Sequence, residues 1–415
     1  MTGIPRLLTC AAVAASALGF TARPKPVAET IHGALPAQQV LLVSLDGFRW
    51  DYFNRPQARN LRRLAAQGVH AQRMVPSYPS VTFPNHYTIV TGLYPEHHGI
   101  IANTIRDSVL GWFHISDTAA VRNPAWWGGE PLWVTAEKQG QHAGSFFWPG
   151  SEAAIEGVRP TRYMKFDDRY PEAARVDSVL SWLTLPAADR MSFVTLYYSD
   201  VDHAGHAYGP DSPQVDSAIA RVDSMVGLLM DGIAAHGLAD RVNLIVVADH
   251  GMTAISPQHA VFLDSYAATG DFDLIDGGAL GLIDPKPGLV DTVLNELQGA
   301  NPHMHVYRKS ELPARFHYDD NRRIPPIVAI PDEGYMIMTH AQFRARPPHG
   351  GEHGYDNALP DMGALFVAAG PSFRRGVTVA PFQNVHVYDL VCHILGLTPA
   401  PNDGSLDSTR AMLRR

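Results

Sequence analysis

Val40-Leu41-Leu42-Val43-Ser44-Leu45-Asp46 sets how the rest of the chain is read. Its apolar residues run on without alternation, which suits a strand covered on both faces, and the run is too short for a convincing helix. It ends on an aspartate. The same order recurs at Ser192 to Tyr198, which leads to Asp202, and at Leu244-Ile245-Val246-Val247, which leads to Asp249; a fourth run, Ala364 to Ala369, leads to Gly370. Between these runs the period changes to that of a helix, at Asn60 to Gln67 and more strongly at Ser212 to His236, where Val215, Ile219, Val222, Val226 and Leu229 recur at three- and four-residue steps. Alternating strand, loop and helix predicts a layered α/β fold with a mostly parallel central sheet flanked by helices, in which ligands gather at the carboxyl ends of the strands. One aspartate after a strand is ordinarily a turn or cap residue. Three, two of them with histidines nearby, indicate a shared site.

From about Ser256 to Arg346 the texture shifts to shorter elements rich in Pro and Asp, with a β-α-β-like stretch through Leu280 to Ile283, Leu289 to Leu297 and His305 to Tyr307. The expected organisation is a catalytic core over residues 38–255 and 347–400, an inserted lid subdomain over 256–346 and a tail over 401–415. Residues 1–22, with Arg6 ahead of an Ala-rich apolar run, read as an export signal, which places the protein in the periplasm or the medium. Lipidation at Cys10 is the variant reading, although Thr9 before it is not the small residue usually wanted. Removal of the signal leaves Cys392 as the one thiol, so no internal disulfide is expected.

With 415 residues, 46% of them hydrophobic, the chain can bury a large core, and no later stretch is long and apolar enough to cross a membrane. The formal net charge of -8 offers no basic face to long nucleic acid. An anionic substrate would draw its positive charge from bound metal, a reading that the 20 histidines favour. Asp202 and His206 lie four apart on what reads as a Gly-containing turn, Asp249 and His250 follow a strand, and His353 sits among glycines in Gly350 to Asn357. With Asp46 they make six candidate ligands, too many for one open site and enough for two; the mixture of carboxylate and imidazole favours zinc, with manganese or iron as alternatives. The remaining histidines, His86 among them, are left unassigned. Pro84 suits the first turn of a helix running to Thr91, which puts Thr82 at a helix N-terminus where an anion is favoured. Thr82 is then either a metal-activated nucleophile or only a helix cap.

Val43-Ser44-Leu45-Asp46-Gly47-Phe48-Arg49, the run from Thr82 to Ile100, Asp249-His250-Gly251-Met252 and His353 to Asn357 together resemble the signature blocks of nucleotide pyrophosphatase/phosphodiesterases, within the alkaline phosphatase superfamily. The resemblance implies an alkaline-phosphatase-like fold with two zinc ions, one on Asp202, His206 and His353 and the other on Asp46, Thr82, Asp249 and His250. It implies that Thr82 attacks phosphorus to give a phosphothreonine diester, that Asn103 binds a non-bridging oxygen, and that Phe83 and Tyr197 border a nucleobase, with Phe166 or Tyr163 completing the pocket. The implied partner is a small nucleotide, cleaved at a phosphodiester or pyrophosphate bond to release a nucleoside 5'-monophosphate; oligomeric state is not implied. Sulfatases resemble the chain less, lacking its Thr82-Phe83-Pro84-Asn85 order, and no Arg precedes Arg106 after Thr82 to serve a monoester. A phospholipid-headgroup or phosphonate hydrolase of the same superfamily is the alternative, and a catalytically silent binding protein the minor one.

Overall fold

The computed structural model describes residues 38–414. The export signal and Cys10 lie outside the described residues. The strand Gln39–Leu45 is buried along its whole length, as its unbroken apolar run requires. Even Gln39 is accommodated, donating its amide to Leu183 O and Met191 O at 3.2 and 2.9 Å. It lies near the middle of an eight-stranded sheet whose order is Val377–Val379, Val69–Ala71, Phe366–Ala369, Val242–Val247, Gln39–Leu45, Met191–Tyr198, His142–Phe146 and Arg162–Met164. Only Phe366–Ala369 runs against its neighbours; every other pairing is parallel. All four apolar runs fall in this one sheet, and the fold is of the α/β class with a mostly parallel centre.

Helices cover both faces. Arg59–Gln67, Glu172–Leu183 and Pro213–Ala235 pack together on one side, while Thr82–Thr91, Leu132–Lys138 and Val387–Leu395 lie on the other. The long helix starts where Pro213 occupies the first turn and the Ser212 hydroxyl accepts from Val215 N. Its apolar stripe, Val215, Ile219, Val222, Val226 and Leu229, is buried. Arg59–Gln67 has no cap of its own, because Ala58 precedes it. Asp223, projecting from the long helix, fills that role: its carboxylate accepts from Asn60 N and Leu61 N, both at 2.9 Å.

The segment after Ser256 contains a second, antiparallel sheet ordered Phe272–Asp276, Gly281–Pro285, Ile327–Pro331 and Met304–Arg308. The helix Val290–Leu297 buries Val293, Leu294 and Leu297 against a separate apolar cluster that includes Ile283, Met304, Val306 and Ile327. The expected β-α-β unit is present in split form. Gly281–Pro285 and Met304–Arg308 do not touch as neighbours, since Ile327–Pro331 lies between them.

Asp223 caps one helix from another, so Asp223→Ala leaves two backbone donors unsatisfied at a buried interface. It is expected to lower unfolding stability by about 1–3 kcal/mol in urea denaturation, without altering turnover by the folded fraction.

Candidate active site

Gln39–Leu45, Met191–Tyr198 and Val242–Val247 are adjacent parallel strands, so their carboxyl ends deliver Asp46, Asp202 and Asp249 to one edge of the sheet. Asp202 and His206 are not on a turn. They lie one helical turn apart in the helix Asp200–Tyr208, because Gly205 is tolerated inside it, and their side chains meet on one face with Asp202 Oδ1 3.3 Å from His206 Nε2. His353 Nε2 is 3.6 Å from the same oxygen and 3.1 Å from His206 Nε2. A second group forms around His250 Nε2, which is 2.9 Å from Asp249 Oδ2, 3.4 Å from Asp46 Oδ1 and 3.2 Å from Thr82 Oγ1.

Each ring is held by its far nitrogen. His206 Nδ1 faces Gly351 O at 3.0 Å, His250 Nδ1 faces Gly251 O at 2.9 Å and His353 Nδ1 faces Ser80 O at 2.9 Å. A carbonyl can only accept, so each Nδ1 carries a proton, and Nε2 of each ring faces inward, where it offers a lone pair to a cation once that nitrogen is unprotonated. The carboxylates are held likewise by one oxygen: Tyr197 OH donates to Asp46 Oδ2 at 2.6 Å and Gly47 N to Asp249 Oδ1 at 3.2 Å. Asp46 Oδ1, Asp202 Oδ1 and Asp249 Oδ2 are left buried with no hydrogen-bond donor. Three inward Nε2 atoms facing three such oxygens form a donor set that cations can occupy in place of protons. Ligand atoms of Asp202, His206 and His353 lie close enough to hold one ion, as do those of Asp46, Asp202 and His250 and those of Asp46, His86 and Asp249.

The titration behaviour has the same cause. Burial, then the charges of Asp249 and Asp202, push Asp46 well above the ordinary carboxylate range. Burial opposes ionisation of Asp249 too, yet His250 and His86 hold it well below that range. His206 is driven to about 10, as the pull of Asp202 outweighs burial, while burial and then its cationic neighbours His250 and His206 lower His353 to about 3. Two imidazoles with Nε2 facing Nε2 resist both being cationic, and three carboxylates this close cannot all ionise without positive charge between them.

Thr82 is the first residue of the helix Thr82–Thr91 and does not cap it. Val81 holds the cap position, and the threonine hydroxyl turns to His250 instead. Asn103 Oδ1 accepts from Phe83 N at 3.1 Å, which leaves its NH2 group as the donor on offer beside Thr82. A cavity of about 370 Å³ opens next to Thr82 and Asp46 between Phe83, Phe147, Trp148, Phe166 and Tyr197. Phe166, 55% exposed, forms its rim, whereas Tyr163 is not among the lining residues.

His86, left unassigned above, belongs to this assembly. Fully buried, it places Nδ1 3.2 Å from Asp249 Oδ2 and 2.9 Å from Thr82 O, with Nε2 2.8 Å from Ser44 Oγ. Its spacing of four from Thr82, on a helix already expected there, was the available signal.

A family model described as type I phosphodiesterase / nucleotide pyrophosphatase matches residues 40–356. The chain is 38% identical over 400 residues to ectonucleotide pyrophosphatase/phosphodiesterase family member 7 of Mus musculus, a match that covers 91% of this chain and 87% of that protein. It is 40% identical over 385 residues to venom phosphodiesterase CdcPDE of Crotalus durissus collilineatus, covering 90% of this chain and 46% of that protein. Among solved structures, an inactive variant of murine ectonucleotide pyrophosphatase/phosphodiesterase 5 in complex with AMP matches with a TM-score of 0.87 at 37% identity, covering 91% of this chain and 100% of that one.

Because the three orphaned carboxylate oxygens need cations, stripping the purified protein with a chelator is expected to lower its melting temperature. Restoring zinc at about a thousandfold over Kd should recover roughly 4 kcal/mol, whereas an unchanged melting curve after verified metal loss would show that the cluster is stable on its own.

Proposed function

The chain belongs to the type I phosphodiesterase / nucleotide pyrophosphatase family, and on that premise we propose that it is a two-zinc hydrolase releasing nucleoside 5'-monophosphates from nucleotide phosphodiester and pyrophosphate bonds. The observation that carries this reading is the position of Thr82 Oγ1, 3.2 Å from an inward-facing His250 Nε2 and at the mouth of an aromatic cavity. Asp202, His206 and His353 would hold one ion, and Asp46, Asp249, His250 and Thr82 the other. When bound, the ions supply Lewis acidity, which lowers the pKa of the Thr82 hydroxyl and offsets charge on phosphorus and on the leaving oxygen.

Thr82 Oγ1 forms the new bond to phosphorus while the bond to the leaving oxygen breaks in line with it. A water then displaces Thr82 and returns its hydroxyl. Asn103 would donate its NH2 group to a non-bridging oxygen as negative charge grows there. Phe83, Tyr197 and Phe166 present aromatic faces on which any nucleobase can stack, and the cavity volume suits a nucleoside. Tyr197 acts behind these groups, its hydroxyl fixing Asp46, and His86 lies behind Thr82, its ring set between Thr82 O and Ser44 Oγ. Residues 256–346 are assigned as an inserted lid subdomain, supported by their own sheet and apolar cluster. Export to the periplasm or medium is also part of the proposal; the ectoenzyme and venom names of the relatives support it, and among the described residues no helix is long and apolar enough to cross a membrane.

Thr82→Ala should abolish turnover of nitrophenyl thymidine phosphate by several orders of magnitude with metal content unchanged, and Asn103→Ala should lower kcat by about 10²–10³-fold. Parallel rates on ATP and a lysophospholipid ester test the substrate. If the nucleotides are inert and the lipid ester is cleaved, the nucleotide assignment fails and the threonine chemistry stands.

A further inference from the structure

A second cavity, of about 420 Å³, is lined by Arg106, Arg308, Lys309, Arg322 and Arg323, in a chain whose net charge is -8. Most of that positive charge is already matched. Arg106 and Lys286 face Asp273 and Asp284, and Arg308 faces Asp291, one carboxylate for each cation. The remainder is not balanced. Arg322 and Arg323 share the single oxygen Asp107 Oδ2, at 2.8 and 2.9 Å, while Oδ1 of the same carboxylate is taken by Val109 N and Leu110 N. Arg323 is a fixed wall, its other donors committed to the carbonyls of Gly99, Trp126 and Ala125. Arg322 is 61% exposed and has donors to spare.

Lys309 is the second surplus cation. Its Nζ reaches only the carbonyl of Asn321, at 3.2 Å, and among the described residues no carboxylate pairs with it. Asn321 directly precedes Arg322, so this contact brings the two unmatched cations to the same side of the cavity. A guanidinium and an ammonium with two unbalanced charges suit a doubly charged tetrahedral oxyanion, the first gripping two oxygens and the second acting as a point charge. Ile275, Ile324, Pro325 and Pro326 add an apolar wall on which an attached organic group could rest.

We propose that this cavity is a second, non-catalytic binding site for a phosphomonoester or phosphate dianion, with Lys309 and Arg322 as its principal ligands. It shares no lining residue with the cavity beside Thr82, and it stands or falls independently of the role given to that threonine. The dianion could come from a nucleoside monophosphate or from inorganic phosphate. Isothermal titration of the full metal-loaded protein with AMP, inorganic phosphate and adenosine separates these sources.

AMP or phosphate should show one site more in the wild type than in Lys309→Glu, and Arg322→Gln should weaken that same site at least tenfold. Turnover should stay within about twofold in both variants, and raising NaCl from 50 to 500 mM should weaken the extra site in the wild type. Saturation by AMP alone would identify the source as the nucleotide, and saturation by both ligands as the phosphate group. Equal site numbers in the wild type and Lys309→Glu, or binding of adenosine there with both anions silent, would overturn the proposal. Circular dichroism of each variant excludes misfolding as the cause of a lost site.

Discussion

Three carboxylates held within a few ångströms of one another, each with a buried oxygen that no donor meets, are the constraint on which the rest of the site depends. Isolated in a protein interior, such a cluster costs far more than hydrogen bonding to its outer oxygens can offset. Its presence makes sense only if cations complete it. The flanking histidines are oriented accordingly, with Nδ1 pinned to main-chain carbonyls so that Nε2 turns inward. The main chain, more than any side chain, sets the direction of these ligands.

The architecture explains how the cluster is assembled. Strand order puts the carboxyl ends of Val242–Val247, Gln39–Leu45 and Met191–Tyr198 side by side, and Asp249, Asp46 and Asp202 follow them closely in the chain. Thr82 comes from a helix on one face of the sheet and His353 from a glycine-flanked loop. Close packing tightens the joint: a Cβ on Gly350 would lie 2.1 Å from His206 O, so that position accepts the approach of the two segments only as glycine. The aromatic cavity then shares Asp46 and Thr82 with the charged cluster, so the proposed substrate pocket and the proposed reacting hydroxyl have a common wall.

Much of this could be read from the chain because unbroken apolar runs and helical periods are strong local signals. Val40 to Leu45 and Ser212 to His236 needed no tertiary information. Local signals mislead where they compete. Gly205 made Asp202 and His206 look like a turn, yet burial of the helix Asp200–Tyr208 outweighs the modest cost of one glycine. A lone histidine is most often a surface or hydrogen-bonded residue, and the importance of His86 rests on contacts to Ser44 and Asp249, which sequence distance conceals. Tyr197 was expected as a stacking face, while its hydroxyl bond to Asp46 depends on strand register. The split of the second sheet by Ile327–Pro331 was hidden for the same reason, since a strand inserted from later in the chain leaves no mark between its neighbours.

The clustered carboxylates and imidazoles are drawn from distant parts of the described chain, from Asp46 just after the first strand to His353 shortly before the last strands of the main sheet. A polypeptide emerging from the ribosome therefore carries an incomplete constellation through most of its synthesis. Until the segment around residue 353 is out and docked, Thr82 lacks a finished neighbourhood. A fragment that ends before residue 353 therefore lacks one member of the group formed by Asp202, His206 and His353.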